Sequence, residues 1–153
     1  MRFLQKSGRL WVILLLACGH AHPAGDPART QLAVLPAESD AFPGVARAVN
    51  ASLRAAKVKD IDETRVSKVS IEVVQLSIEC VEPTNACYEA AGHSISANRL
   101  LFARIDAAAR QLKLTVTLFD VDARAPKRTQ AKVFATEAAA IQGAPALVAA
   151  VTQ

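Results

Sequence analysis

The sequence predicts a single α/β domain, a mixed sheet with helices packed on it, in the order β-α-β-α-α-β-β-β-α. Three observations carry that reading. A short apolar run stopped by proline, Leu32-Ala33-Val34-Leu35-Pro36, is followed by apolar residues at helical spacing. In the second half, Leu112, Leu114, Val116 and Leu118 alternate with Lys113, Thr115 and Thr117, the period of a half-buried strand. The stretch from Gln31 to Gln153 spans 123 residues, the size of one domain that buries well over half of its unfolded surface.

Taken in order, Leu32 to Pro36 reads as a buried first strand. A turn through Glu38-Ser39-Asp40 leads to Phe42, Val45, Ala46, Val49, Leu53 and Ala56, the strongest helical row in the chain, with Pro43 tolerated in its first turn. Val58 to Ile61 is expected to return as a second strand. Val66, Val69, Val73 and Leu76 suit a helix entered through Thr64, although Val69, Ile71 and Val73 also alternate as in a strand. Thr84-Asn85 opens another helix through Cys87, Tyr88 and Ala91, ending near Gly92. Three strands follow, over Arg99 to Ile105, Leu112 to Val121 and Lys127 to Ala135, joined by connections short enough for hairpins. A terminal helical segment runs from Glu137 to Val151, with an interruption expected near Gly143-Ala144-Pro145.

The segment ahead of the domain sets the expected compartment. Arg2, Lys6 and Arg9 precede the apolar run Leu10 to Ala17, too short to span a bilayer as a helix, and small residues follow. That is the layout of a secretory signal. Leu15-Leu16-Ala17-Cys18-Gly19 resembles the bacterial lipobox, in which the cysteine is lipidated and becomes the first residue. The expected division is a lipoprotein signal peptide at 1–17, a lipidated flexible tether at 18–30 and the folded domain at 31–153. Ordinary cleavage after Ala21 or Ala24, releasing a soluble periplasmic or secreted binding protein, is the alternative. The absence of aspartate after Cys18 favours the outer membrane over retention at the inner one. Loss of the leader takes three basic residues away, so the formal charge of +4 falls almost to balance, 15 basic residues against 14 acidic.

Three landmarks carry a resemblance: the strand Leu32 to Pro36, the block Gly92-His93-Ser94-Ile95-Ser96-Ala97-Asn98-Arg99-Leu100-Leu101, and the strand Thr117-Leu118-Phe119-Asp120-Val121. Together they resemble lipoprotein domains of myxobacteria and relatives, similar to the amino-terminal domain of TolB and to the CsgG-type curli-export and penicillin-binding-protein-activator lipoproteins. This chain has Ser96-Ala97-Asn98 where that group more often shows Gly-Ala-Asp or Gly-Ala-Glu. The resemblance implies a non-enzymatic envelope accessory or assembly module that works through contacts with an envelope protein. No pore is implied, since no amphipathic membrane hairpin stands apart from the core strands.

Cys80 and Cys87 are the pair left once Cys18 carries lipid, and in an oxidising compartment they are expected to form a disulfide. Zinc binding with His93 would lack a fourth ligand, and no cofactor is expected. His93 is the one histidine in the domain. A small hydrolase using His93 with Asp120 or Asp122 is the enzymatic alternative, and it requires those side chains to converge. Phosphate loops, nucleophile elbows and zinc-protease motifs are absent from the sequence. Arg124, Lys127, Arg128 and Lys132 form a basic stretch on one hairpin that suits anionic headgroups or an acidic partner, or else guards an edge strand. Nucleic acid is not expected, because no aromatic residues interleave with these cations.

Overall fold

The computed structural model describes residues 29–80 and 82–153 of the chain. Its element order is the expected one: β1 (Gln31–Val34), α1 (Pro43–Ala55), β2 (Glu63–Val66), α2 (Ile71–Ser77), α3 (Asn85–Ser94), β3 (Arg99–Ala108), β4 (Gln111–Asp120), β5 (Ala125–Phe134) and α4 (Glu137–Thr152). The five strands form one sheet in the order β2-β1-β3-β4-β5. β1 pairs in parallel with both β2 and β3, whereas β3, β4 and β5 form an antiparallel meander.

Alternation along the strands divides the core between the two sheet faces. Leu32, Val34, Leu101, Ala103, Leu112, Leu114, Val116 and Leu118 pack against Val45, Val49 and Leu53 of α1 and Ala140, Ala144, Leu147, Val148 and Val151 of α4. Their neighbours Ala33, Leu35, Leu100, Phe102 and Phe119 face the other way, toward Ile71, Val74, Tyr88 and Ala91 of α2 and α3. Tyr88 anchors that second layer, its ring centroid 4.8 Å from Phe102 and 5.5 Å from Phe119.

The structure corrects the sequence reading in several places. The second strand is Glu63–Val66, not Val58 to Ile61. Val58 and Ile61 instead pack as irregular chain against the α1–α4 core, and the amides of Asp62 and Glu63 both donate to the Thr30 carbonyl, which fixes the strand start later. All four residues of β2 are exposed, so the apolar signal of a buried strand is missing there. The helix that follows starts at Ile71, capped by Ser70, whose side chain accepts from the Val73 amide, and is not entered through Thr64. Its buried side is Ile71, Val74 and Gln75. Val66, Val69, Val73 and Leu76, the row read as a helical face, are exposed, Leu76 by 62%.

α3 continues through Gly92 to Ser94. The amides of Ser96 and Ala97 donate to the carbonyls of His93 and Gly92, and Ser96 has a φ of 55°. This is the closing pattern in which glycine is preferred at the left-handed position. Gly92 serves packing instead, because a Cβ there would collide with the Val121 side chain. α2 ends in the same way, with Glu79 at a φ of 57° and the Cys80 amide donating to the Gln75 carbonyl at 2.9 Å. α4 runs unbroken through Pro145. Its buried row of Ala140, Ala144, Leu147, Val148 and Val151 outweighs the one backbone hydrogen bond proline removes. β5 begins at Ala125, two residues before the expected Lys127.

Candidate functional site

Strand polarity collects polar side chains at one end of the sheet. β1 and β3 start there and β4 finishes there, while α3 delivers its last turn to the same rim. A cleft of about 390 Å³ at this end is lined by Arg29, Gln31, His93, Ser96, Asn98 and Asp122. Asn98 organises it. Its Oδ1 accepts from the Gln31 amide at 2.9 Å, its own amide donates to the Gln31 carbonyl at 3.0 Å, and its carbonyl accepts from the Val121 amide at 2.9 Å. The guanidinium of Arg65 donates to Gln31 Oε1 and, at 3.2 Å, to the Ser96 carbonyl.

The carboxylates of the rim are engaged by arginines. Arg99 Nη1 lies 2.8 Å from Asp120 Oδ1 and 3.0 Å from Asp122 Oδ2, and it also donates to the Asn98 carbonyl at 2.7 Å. Asp120 Oδ1 further accepts from the Ala123 amide at 2.9 Å, a turn-closing bond. A second cluster stands beside it: Glu89 Oε1 is 2.8 Å from Arg124 Nε and 3.6 Å from His93 Nε2. His93 and Asp122 therefore share one cleft, as the hydrolase reading required, but each has another side chain beside it. His93 faces Glu89 one turn back on its own helix, and both aspartates face Arg99. The arrangement holds a β-turn and a helix end together.

Cys80 and Cys87 are joined by a disulfide, with Cα atoms 5.6 Å apart. It ties the closing turn of α2 to the first turn of α3, whose cap Thr84 accepts from the Cys87 amide at 3.3 Å. Arg124 is drawn to Glu89 at the polar rim, and Lys127 is the extra residue of a bulge, since Leu118 pairs with Arg128 and Phe119 with Pro126. Lys132 lies 5.2 Å over the Phe134 ring. Cys18 lies outside the described residues, as do the signal peptide and nearly all of the tether.

Arg99, Asn98 and Arg65 escaped the sequence reading. For Arg99 a signal existed: the two-residue loop Ala109–Arg110 fixes a hairpin register that places Arg99 opposite Asp120. At the opposite end of the sheet Arg104 Nε stands 3.9 Å from Glu72 Oε1. Burial opposes its charge, but the Tyr88 hydroxyl and the carboxylates of Glu72 and Asp106 outweigh it and raise the guanidinium pKa. A groove of about 630 Å³ lies between the carboxyl ends of α1 and α4. Its walls are mostly small side chains such as Ala51, Ala55 and Ala149, with Lys57 the titratable one. Among the described residues no group of histidine, cysteine, aspartate and glutamate has the arrangement of a metal site, and no helix is long and apolar enough to cross a membrane.

Neither a family model nor a curated protein matches the chain. Solved structures do. The LpoB C-terminal domain from Salmonella enterica aligns over 74% of this chain and 87% of its own at 13% identity, with a TM-score of 0.43. The LpoB C-terminal domain from Escherichia coli aligns over 73% and 87% at 14% identity, with a TM-score of 0.40. A PelC dodecamer from Paraburkholderia phytofirmans aligns over 80% and 85% at 14% identity, with a TM-score of 0.36. At such identities and TM-scores the likeness assigns neither family nor activity, and the resemblance to TolB and CsgG-type proteins stands on the quoted residues alone.

Proposed function

We propose that this protein is a lipoprotein of the bacterial envelope, anchored through Cys18 in the outer membrane and facing the periplasm, that acts as a non-enzymatic protein-binding or assembly module. One observation supports the non-enzymatic part: of the residues named for a hydrolase, His93 and Asp122 share the polar cleft, but His93 stands beside Glu89 and Asp122, with Asp120 next to it, is paired with Arg99. What the domain then presents to its surroundings is surface, namely two open sheet edges and exposed apolar side chains on α2. The Cys80–Cys87 disulfide accords with an oxidising compartment. More than one acyl chain on Cys18, at about 0.8 kcal/mol for each buried methylene, would hold the domain at the bilayer without a spanning helix.

The test has two parts. Cys18→Ala should shift the protein from the membrane fraction to the soluble one; unchanged membrane association overturns the anchoring. Crosslinking in living cells should then capture an envelope protein with the wild-type chain and lose it when the domain's exposed edges are altered. Hydrolysis of a chromogenic ester or amide panel, abolished by His93→Ala, would overturn the non-enzymatic reading.

A further inference from the structure

The two edges of the sheet differ in a way that selects a partner. β5 carries Lys127, Arg128 and Lys132 and no acidic residue, so pairing two β5 edges would set cations against cations. β2, Glu63-Thr64-Arg65-Val66, is short and exposed along its whole length. Its backbone polarity can be read from its neighbours. The Glu63 amide donates to the Thr30 carbonyl at 3.2 Å and the Ser67 amide to the Val34 carbonyl at 2.8 Å. Residues 63, 65 and 67 thus turn their backbone groups toward β1. By strand alternation Thr64 and Val66 turn theirs to the open side.

We propose that β2 is a dimerisation edge: two copies pair their β2 strands antiparallel about a two-fold axis at Thr64, joining two five-stranded sheets into one of ten. At the centre Thr64 exchanges both backbone hydrogen bonds with Thr64 of the second copy, which requires the outward polarity just derived. On either side Glu63 stands opposite Arg65 of the second copy, and Arg65 opposite its Glu63. Read backwards, Glu-Thr-Arg is its own charge complement. Centring the axis on Val66, the other outward residue, would set Arg65 against Ser67 and Thr64 against Lys68, with no opposite charges.

The side chains are already placed for this. Register with Gln31 and Ala33 puts Glu63 and Arg65 on one face, about half exposed at 47% and 52%. Arg65 is steadied by Glu63 of its own chain at 3.4 Å, by Gln31 and by the Ser96 carbonyl. Its Nη1, unused in those contacts, can donate across the axis. Val66, half exposed on the opposite face, becomes a diagonal neighbour of Thr64 of the second copy.

Sedimentation of the full chain in mild detergent tests the proposal. The wild type should be dimeric. Glu63→Arg and Arg65→Glu each set like charges opposite one another twice and should weaken the dimer by at least about tenfold in Kd. The double reversal, Glu63→Arg with Arg65→Glu, restores the complement and should return the Kd to within a few-fold of wild type. Thr64→Pro removes the central donor where an edge strand tolerates proline, so a folded monomer by circular dichroism is expected. A monomeric wild type, single reversals without effect, or a dimer that survives Thr64→Pro would overturn it.

Discussion

Arg99 opens β3 directly opposite Asp120, the last residue of β4, and its Nη1 lies 2.8 Å from the facing carboxylate. Both side chains are 17% exposed, so this pair is shielded more than a surface bridge. Asp122, more exposed, joins from the following turn. Arg99→Ala leaves two carboxylates facing each other without a cation and should cost about 1–3 kcal/mol in urea unfolding. Asp122→Ala should cost less than about 1 kcal/mol. Equal costs would show that Asp122, not Asp120, holds the arginine.

Two helices close on residues that pay a steric penalty for a left-handed backbone, Glu79 after α2 and Ser96 after α3. Glycine has no such penalty. Ser96→Gly and Glu79→Gly should each stabilise by up to about 1 kcal/mol, and the double variant by nearly the sum, as read from thermal or urea midpoints. The tight hairpin residue Ala109, with a φ of 53°, should respond likewise to Ala109→Gly.

Glycines at 92 and 143 act in the opposite sense. A Cβ on Gly92 meets Val121, and one on Gly143 meets the Phe134 ring 2.5 Å from Cε1. Gly92→Ala and Gly143→Ala should therefore each destabilise by about 1–3 kcal/mol. Val121→Ala in the Gly92→Ala background should recover part of that loss, a coupling seen in a double-mutant cycle.

The Cys80–Cys87 bridge closes a short loop, with a sequence separation of 7. Cys80→Ser with Cys87→Ser should lower stability by about 2–3 kcal/mol on the chain-entropy account. Thiol labelling of the unreduced protein should modify neither cysteine, and labelling of both would contradict the bridge.

Asn50 of α1 clamps the chain leaving β1. Its Oδ1 accepts from the Ala37 amide at 2.7 Å and its Nδ2 donates to the Ala37 carbonyl at 3.0 Å. Asn50→Ala removes both partners from a part-buried backbone and should cost about 1–3 kcal/mol, whereas Ser52→Ala, which loses only a bond to the Ala48 carbonyl of its own helix, should be close to neutral.

Where hydrophobic period and burial agree, the fold was legible in the residues. Val45, Val49 and Leu53 gave α1, which buries one face, and the alternation of Leu112, Leu114, Val116 and Leu118 gave β4, because Gln111, Lys113 and Thr115 beside them are left wholly or partly to solvent. β2 was misplaced because an edge strand buries little; its polar Glu63-Thr64-Arg65 carries no hydrophobic period, while the nearby apolar Val58 and Ile61 do. α2 was shifted because its exposed Val73 and Leu76 are as apolar as its buried Ile71 and Val74. Pro145 and Gly143 look like breakers until tertiary contacts are counted, and α4 continues through both. The disulfide pairing was legible from cysteine arithmetic. The polar rim was legible only in part: His93, Asp120 and Asp122 stand out by residue type, but the Arg99 and Glu89 beside them become visible only with the hairpin register and the helix turn in hand.

The bulge at Lys127, with Pro126 beside it and cations along the rest of β5, makes the sheet asymmetric in what it admits. A surface that can be joined from one side only has a fixed stoichiometry: with β2 taken up by the proposed pairing, each outer margin would be a guarded β5, and further strand addition would have nowhere to start. Growth would then stop at a finite particle, the limit that separates controlled association from runaway fibre formation.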